Sequence, residues 1–314
     1  MIEVILSIAI KFIFLIIIFL VGMLLLGIER KVTAKIQRRS GSSIFQPLLD
    51  VAKAMSKEEH TTYGWSFDFS LVLMFGGILA TLIFIPIGGL GILEIPTDMI
   101  LLLFLLMMPP IGLLLSMGFN ENKIPHLISS KYAVLFFLCM IPLYLIIFSI
   151  MIFSNTSTLQ SIISNQEEGW FIFTLPLGAI SYFVISHAML GKKPFETSFS
   201  DIKSEAFDHL GGKYLGLLIV YKALMTIVVL SLFINLFFGG AIISQNPNLS
   251  DLINFIINFC FWLMLVIIFF MIHLVIDNFL PKFKTRWTYK SFLYVPIWLS
   301  VINIILVIGF LGGW

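Results

Sequence analysis

The sequence predicts an all-α integral membrane protein of about eight transmembrane helices, with one further amphipathic helix lying at the cytoplasmic interface. Three observations carry this. The 314 residues are 59% hydrophobic and 11% charged, with a mean hydropathy of +1.05, whereas a soluble domain carries roughly 25% charged residues. Apolar runs of about 20 residues, the length that crosses a bilayer, recur along the chain. Basic residues collect in alternate connections between those runs.

The runs are 4–28, 69–87, 99–119, 133–153, 171–190, 214–238, 252–276 and 292–311. The first is broken only by Ser7 and Lys11. It is too long for a signal-peptide core and lacks a small-x-small cleavage site, so it reads as a retained span. The third contains Pro109-Pro110, which removes backbone donors and predicts a kinked or tilted helix. The connections carry much of the Pro and Gly punctuation. No internal repeat is visible, so residues 1–314 read as one domain. Its largest polar connections are 29–68 and 191–213.

Seventeen of the 19 Lys and Arg residues follow the first, third, fifth and seventh runs; connections 88–98, 154–170 and 239–251 hold none. The positive-inside rule places the basic connections in the cytoplasm and both termini outside the cell membrane. Lys11 and Lys222 are the two exceptions. Lys11, near the end of its run, reads as a snorkelling lysine. Lys222 lies about 13 Å into its run at 1.5 Å per residue. A lysine at that depth calls for a polar interior or a partner.

Within 44–55, Ile44, Leu48, Val51 and Met55 share one helical stripe; Gln46, Asp50, Lys53 and Lys57 share another. Pro47 is tolerated in the first turn. This is an amphipathic helix, expected to lie along the membrane face.

Several chemistries find no support. Cys139 and Cys260 sit singly in apolar runs and read as small buried hydrophobes. His187, His273 and Asp277, near the ends of the fifth and seventh runs, lack metal-ligand spacing and read singly as satisfied core or edge residues. The chain therefore holds no metal or iron–sulfur cluster by itself. No phosphate-binding loop, dinucleotide fingerprint or nucleophile triad occurs. Topology accounts for the basic residues, so nucleic acid is not an expected partner.

The densest motif is Glu29-Arg30-Lys31, then Ala34, Gln37-Arg38, Gly41, Gln46-Pro47-Leu48-Leu49-Asp50, Lys53 and Lys57-Glu58. Read from residues alone, it is a carboxylate at a membrane boundary, a basic strip and an interfacial helix, for which topological anchoring suffices. It also resembles the first cytoplasmic loop of the complex I subunit 1 family. That family comprises the H-type membrane subunit of respiratory NADH dehydrogenase and its counterparts in membrane-bound nickel–iron hydrogenases. The match spans roughly thirty residues and lacks the family's usual Gly-Pro after the arginine. The resemblance implies that this loop and helix dock a soluble electron-transfer arm and frame a quinone-like cavity. Glu29, Arg30, Lys31, Gln37, Arg38, Gln46, Asp50 and Lys57 would then line or support the junction.

A second motif, Pro194-Phe195-Glu196 followed by Asp201, Glu205 and Asp208, is similar to the family's Pro-Phe-Asp and its acidic cluster. With Lys222, these carboxylates are the candidates for a proton or ion path; the alternative is a solvated loop. Three acids usual in the family are replaced, by Met140, Met189 and Lys213, and Lys131 stands for an arginine.

The resemblance implies a membrane-anchor subunit of an energy-converting oxidoreductase, coupling redox chemistry to proton or sodium movement. The missing acids favour a hydrogenase-type complex over a quinone-site subunit. Expected partners are a soluble iron–sulfur subunit, a large hydrogenase-like subunit, antiporter-like membrane subunits and lipid, with quinone as an alternative ligand. Clusters would reside in the partners. A stand-alone secondary transporter and a purely structural paralogue remain the rivals.

Overall fold

The computed structural model describes residues 2–57, 64–92, 95–118, 123–167, 169–195, 212–243 and 250–311. Among these the regular structure is helical, apart from two isolated bridges, Ile87 with Leu90 and Asp98 with Thr158. The helices are α1 (Ile2–Ile36), α2 (Gln46–Met55), α3 (Gly64–Phe84), α4 (Met99–Gly118), α5 (Lys123–Ser154), α6 (Leu159–Ser164), α7 (Phe171–Thr174), α8 (Pro176–Met189), α9 (Gly212–Phe237), α10 (Asp251–Phe279), α11 (Thr285–Tyr294) and α12 (Pro296–Leu311).

Helix α9 is the central staff. Every residue from Ala223 to Ala241 is buried, and α1, α2, α3, α8 and α10 pack around it. A helix that is apolar all round belongs inside. The outer helices turn rows such as Ile302, Ile305 and Leu306 of α12 outward, as lipid allows. Small residues set the closest approaches, as membrane helix packing favours. A side chain at Gly77 of α3 would meet Met108 and Pro109 of α4, and one at Gly112 of α4 would meet Met74 of α3. Helix α4 runs unbroken through Pro109 and Pro110.

Among the described residues, seven helical stretches are long and apolar enough to cross a membrane. The fifth expected span differs. It splits at Leu175, which has φ −122° and ψ 55°, because the following Pro176 disfavours a helical conformation there. The remaining 14-residue α8 extends about 21 Å, short of a roughly 30 Å hydrocarbon core. The eighth keeps a helical conformation at Val295, φ −95° and ψ −71°, where Pro296 ends the hydrogen-bonded run of α11, and Thr285–Phe310 counts as one span.

Helix α1 continues eight residues past its expected end, to Ile36. Charge does not terminate a helix, and Glu, Arg, Lys and Ala all favour one. The expected loop from residue 29 therefore begins only at Gln37. It crosses back over α1 at Gly27, where a Cβ would collide with the Ile44 carbonyl.

Candidate functional site

The candidate site forms where the basic end of α1 meets α2, α9 and the turn after α8. Glu29, from α1, is its centre. Its Oε1 lies 2.5 Å from Lys192 Nζ and 3.1 Å from Lys222 Nζ. Lys222 reaches it from inside α9, so the deep lysine finds the polar partner its position demands. Lys192 comes from the turn after α8 and is 3% exposed, its ammonium 5.5 Å from the Phe270 ring. Burial pushes the Lys192 ammonium below its ordinary value; Glu29 opposes this, Lys222 reinforces it and Asp277 opposes it. Two ammoniums on one carboxylate leave a net positive charge in a low-dielectric setting.

Beside this trio opens a cavity of about 170 Å³. Its walls are largely apolar, including Leu26, Met189, Leu218, Ile219 and Met225, with Arg30 and Lys222 as cations. Met189 thus stands in the wall where the family resemblance expects an acid. Met140 is buried in the core and Lys213 is exposed.

Arg30 is one residue from Glu29 but faces α2, where its guanidinium pairs with Asp50. Gln46 Nε2 donates to the other Asp50 oxygen at 2.9 Å. Burial alone would raise the Asp50 carboxyl, but the hydrogen bonds from Arg30 and Gln46 and the charges of Arg30 and Lys53 hold it below 3.8. This clasp fastens α2 to α1. Arg30, expected to line or support the docking junction, thus has its guanidinium paired with a carboxylate of its own chain.

On its other side α2 rests on α9. A Cβ on Gly212 would lie 2.5 Å from Lys57 Cβ and 2.9 Å from the Ala54 oxygen; one on Gly216 would lie 3.2 Å from Ala54 Cβ. The buried face of α2 is therefore Pro47 and Ala54, with Val51 half-buried and Met55 exposed, a rotation from the expected apolar stripe.

The other sequence candidates divide. Lys31 is half-buried, while Gln37, Arg38 and Lys57 are exposed. Arg38 ends the α1 extension in a left-handed conformation, φ 56°. Glu196, Asp201, Glu205 and Asp208 lie outside the described residues. Sequence reasoning missed Lys192 as a site residue. Its signal was a lysine two positions beyond a span, beside another lysine, and only the tertiary fold shows which of the two turns inward.

Sequence reasoning also took His187 and His273 singly, whereas the fold pairs them. Their Nδ1 atoms are 2.9 Å apart, and Asp277 Oδ1 accepts the Lys193 N–H at 2.8 Å. Among the described residues no group of three or more His, Cys, Asp and Glu side chains is placed to hold a metal ion.

A family model described as NADH dehydrogenase matches residues 8–308. Similar proteins include the H-type subunit of NADH-quinone oxidoreductase from Protochlamydia amoebophila, 26% identical over 235 residues, covering 68% of this chain and 72% of the relative. A putative NADH-ubiquinone oxidoreductase of Methanocaldococcus jannaschii is 28% identical over 235 residues, covering 72% and 76%. Among solved structures, a chain of the membrane-bound sulfane sulfur reductase, an archaeal respiratory membrane complex, is 28% identical with a TM-score of 0.85, covering 95% of this chain and 98% of that one. The family match from residue 8 to 308 and the structural likeness over 95% of the chain settle the family: the chain belongs to the NADH dehydrogenase family, as a multi-pass membrane protein of the complex I subunit 1 type.

Proposed function

We propose that this chain is the membrane-anchor subunit of an energy-converting, complex I-like oxidoreductase of the membrane-bound hydrogenase type. It docks a soluble iron–sulfur subunit and a large hydrogenase-like subunit on its basic face, which is cytoplasmic. Antiporter-like subunits flank it in the lipid, and redox steps on partner-held clusters drive proton or sodium movement.

One observation carries the reading. The end of α1 and the crossing loop present Lys35, Gln37, Arg38 and Arg39 to solvent, and the same segment through α2 exposes Ile36, Phe45 and Leu49, 42%, 62% and 60% exposed. Exposed large apolar side chains and exposed cations in one segment suit a protein partner that offers both apolar surface and carboxylates. Family membership replaces the stand-alone transporter reading. The likeness to a chain of an archaeal respiratory membrane complex and the methionines at 140 and 189 favour the non-quinone branch.

The apolar cavity with its cationic mouth supports a second reading, a quinone-site subunit, to which the NADH-quinone oxidoreductase relatives also point. Solubilisation in mild detergent tests both. Cluster-bearing partners should copurify, and Arg38→Glu should release them while the bundle's thermal midpoint stays unchanged. Full partner retention in Arg38→Glu would overturn docking through this face. Bound quinone in the purified assembly would move the assignment to the second reading.

A further inference from the structure

His187 of α8 and His273 of α10 are 2% and 1% exposed, and neither takes part in the Glu29 cavity. Hydrogen-bond valence fixes where their protons sit. His187 Nε2 lies 2.5 Å from the Lys193 carbonyl oxygen, which only accepts, so Nε2 carries hydrogen. In a neutral ring His187 Nδ1 is then bare and accepts from His273 Nδ1–H at 2.9 Å. His273 Nε2 is in turn bare, with the Ser186 hydroxyl 3.3 Å away and free to turn its hydrogen between that nitrogen and the Phe183 carbonyl oxygen at 2.8 Å.

The same atoms accommodate one more proton. With a proton added at His273 Nε2, that N–H donates to Ser186 Oγ, and the hydroxyl hydrogen turns to the Phe183 carbonyl oxygen, 2.8 Å away. Every donor keeps an acceptor, and the only movement is rotation of one hydroxyl. The Phe183 ring, stacked on His273 at 4.2 Å, faces the charged imidazole favourably. A second proton has no place. It would set two Nδ1–H donors against each other at 2.9 Å and put two positive charges in one buried site.

The pair also grips the turn that carries Lys192. His187 binds the carbonyl of Lys193, and Asp277, one helical turn beyond His273, binds its amide. Lys192 lies over Phe270, one turn before His273 on α10, and reaches Glu29.

We propose that His187 and His273 together form a binding site for a single exchangeable proton, coupled through the Lys192–Pro194 turn to the Glu29 cavity. The charged groups facing it are Lys192, which opposes the bound proton, and Asp277, which favours it; Glu29 and Lys222 act one contact further away. The tyrosines and thiol on neighbouring helices, Tyr132 and Cys139 of α5, Tyr182 of α8 and Tyr221 of α9, are neutral near pH 7. Helices α7 and α12 contain no charged side chain, and Arg286 and Lys290 of α11 face solvent. This site stands independently of the docking face, because its readout is proton stoichiometry in the chain itself.

The test is nitrogen-15 NMR of the full-length protein, labelled at its histidine rings, in lipid nanodiscs from about pH 8 to pH 5. His187→Asn and His273→Asn assign the signals. Two opposite neutral tautomers are expected, Nε2–H at His187 and Nδ1–H at His273, followed by one joint step that takes up one proton for the two rings. Lys192→Met should move that step to higher pH. Ser186→Ala, a small change that preserves the helix, should move it to lower pH. Uptake of two protons, separate steps for the two rings, matching tautomers, or no uptake across the range would each overturn the proposal. If the histidine variants fail to fold, the wild-type tautomers and the Ser186→Ala shift still decide it.

Discussion

Lys192 Nζ and Glu29 Oε1 meet at 2.5 Å, joining the turn after α8 to the charged extension of α1 across the face of α9. Removing one partner of a buried pair strands the other charge, at a cost of about 3–5 kcal/mol. Glu29 serves two lysines and is 16% exposed, so Glu29→Gln should destabilise the bundle by about 3 kcal/mol. Lys192→Met should cost less, because Lys222 still neutralises Glu29. The double variant should recover part of the Glu29→Gln loss, since one stranded ammonium is gone. Thermal unfolding in detergent reads all three; strictly additive losses would show that the pair is not coupled.

The Arg30–Asp50 clasp gives a pH prediction for α2. The folded-state value of Asp50 lies below its ordinary 3.8, so the unfolded carboxylate takes up its proton first. The contribution to stability is complete above the ordinary value and is lost as pH falls through the lower folded one. The pair is partly exposed, which limits it to about 1 kcal/mol or less. Hydrogen exchange over 46–55 should therefore be insensitive to this group between about pH 5 and 8 and accelerate only in stronger acid. Asp50→Asn should show the fast exchange at neutral pH.

At the opposite end of the bundle, Gln166 acts as a buried polar clamp. Its Nε2 donates to the Asn235 oxygen at 3.1 Å, and its Oε1 accepts from Gly239 N at 2.9 Å and Phe171 N at 3.3 Å. Gln166→Leu leaves those backbone groups buried without partners, each costing about 1–3 kcal/mol. A loss of about 3 kcal/mol in detergent unfolding is expected, with the Glu29 end unaffected. Unchanged stability would mean that water replaces the amide.

Much of this arrangement was legible because lipid simplifies the reading. Long apolar runs became helices, the fifth alone taking a non-helical break, at Leu175 before Pro176, and residues 29–50 held the motif that the fold gathers at one end. What the sequence hid is of two kinds. The α1 extension was hidden because hydropathy marks where lipid stops, not where the helix does. The partners of Glu29 were hidden because Lys222 lies on α9 and Lys192 follows α8, and nothing local reports which helices become neighbours. The His187–His273 pair is invisible for the same reason. Each residue alone resembles a satisfied edge histidine, and only the packing of α8 against α10 makes them one unit.

The seat of α2 on α9 separates the structural role of the basic face from the docking role proposed for it. Gly212 and Gly216 stand four residues apart, one turn of helix, so both face the same neighbour. That neighbour is the backbone and small side chain of Ala54. Gly212→Val places its branch against Lys57 Cβ and the Ala54 oxygen, at 2.5 and 2.9 Å from the first added carbon, and backbone cannot move aside as a flexible side chain can. Overpacking of this kind costs about 1–3 kcal/mol, and α2 can relieve it by lifting away while the core of α9, which begins at Ala223, stays packed. Gly212→Val should thus retain the thermal midpoint of the bundle, speed exchange across 46–55 and reduce retention of soluble partners. Gly216→Ala, whose added methyl meets Ala54 Cβ at 3.2 Å, should do the same more weakly. Normal partner retention in Gly212→Val, with α2 shown to be displaced, would mean that the arm binds the end of α1 without help from the interfacial helix.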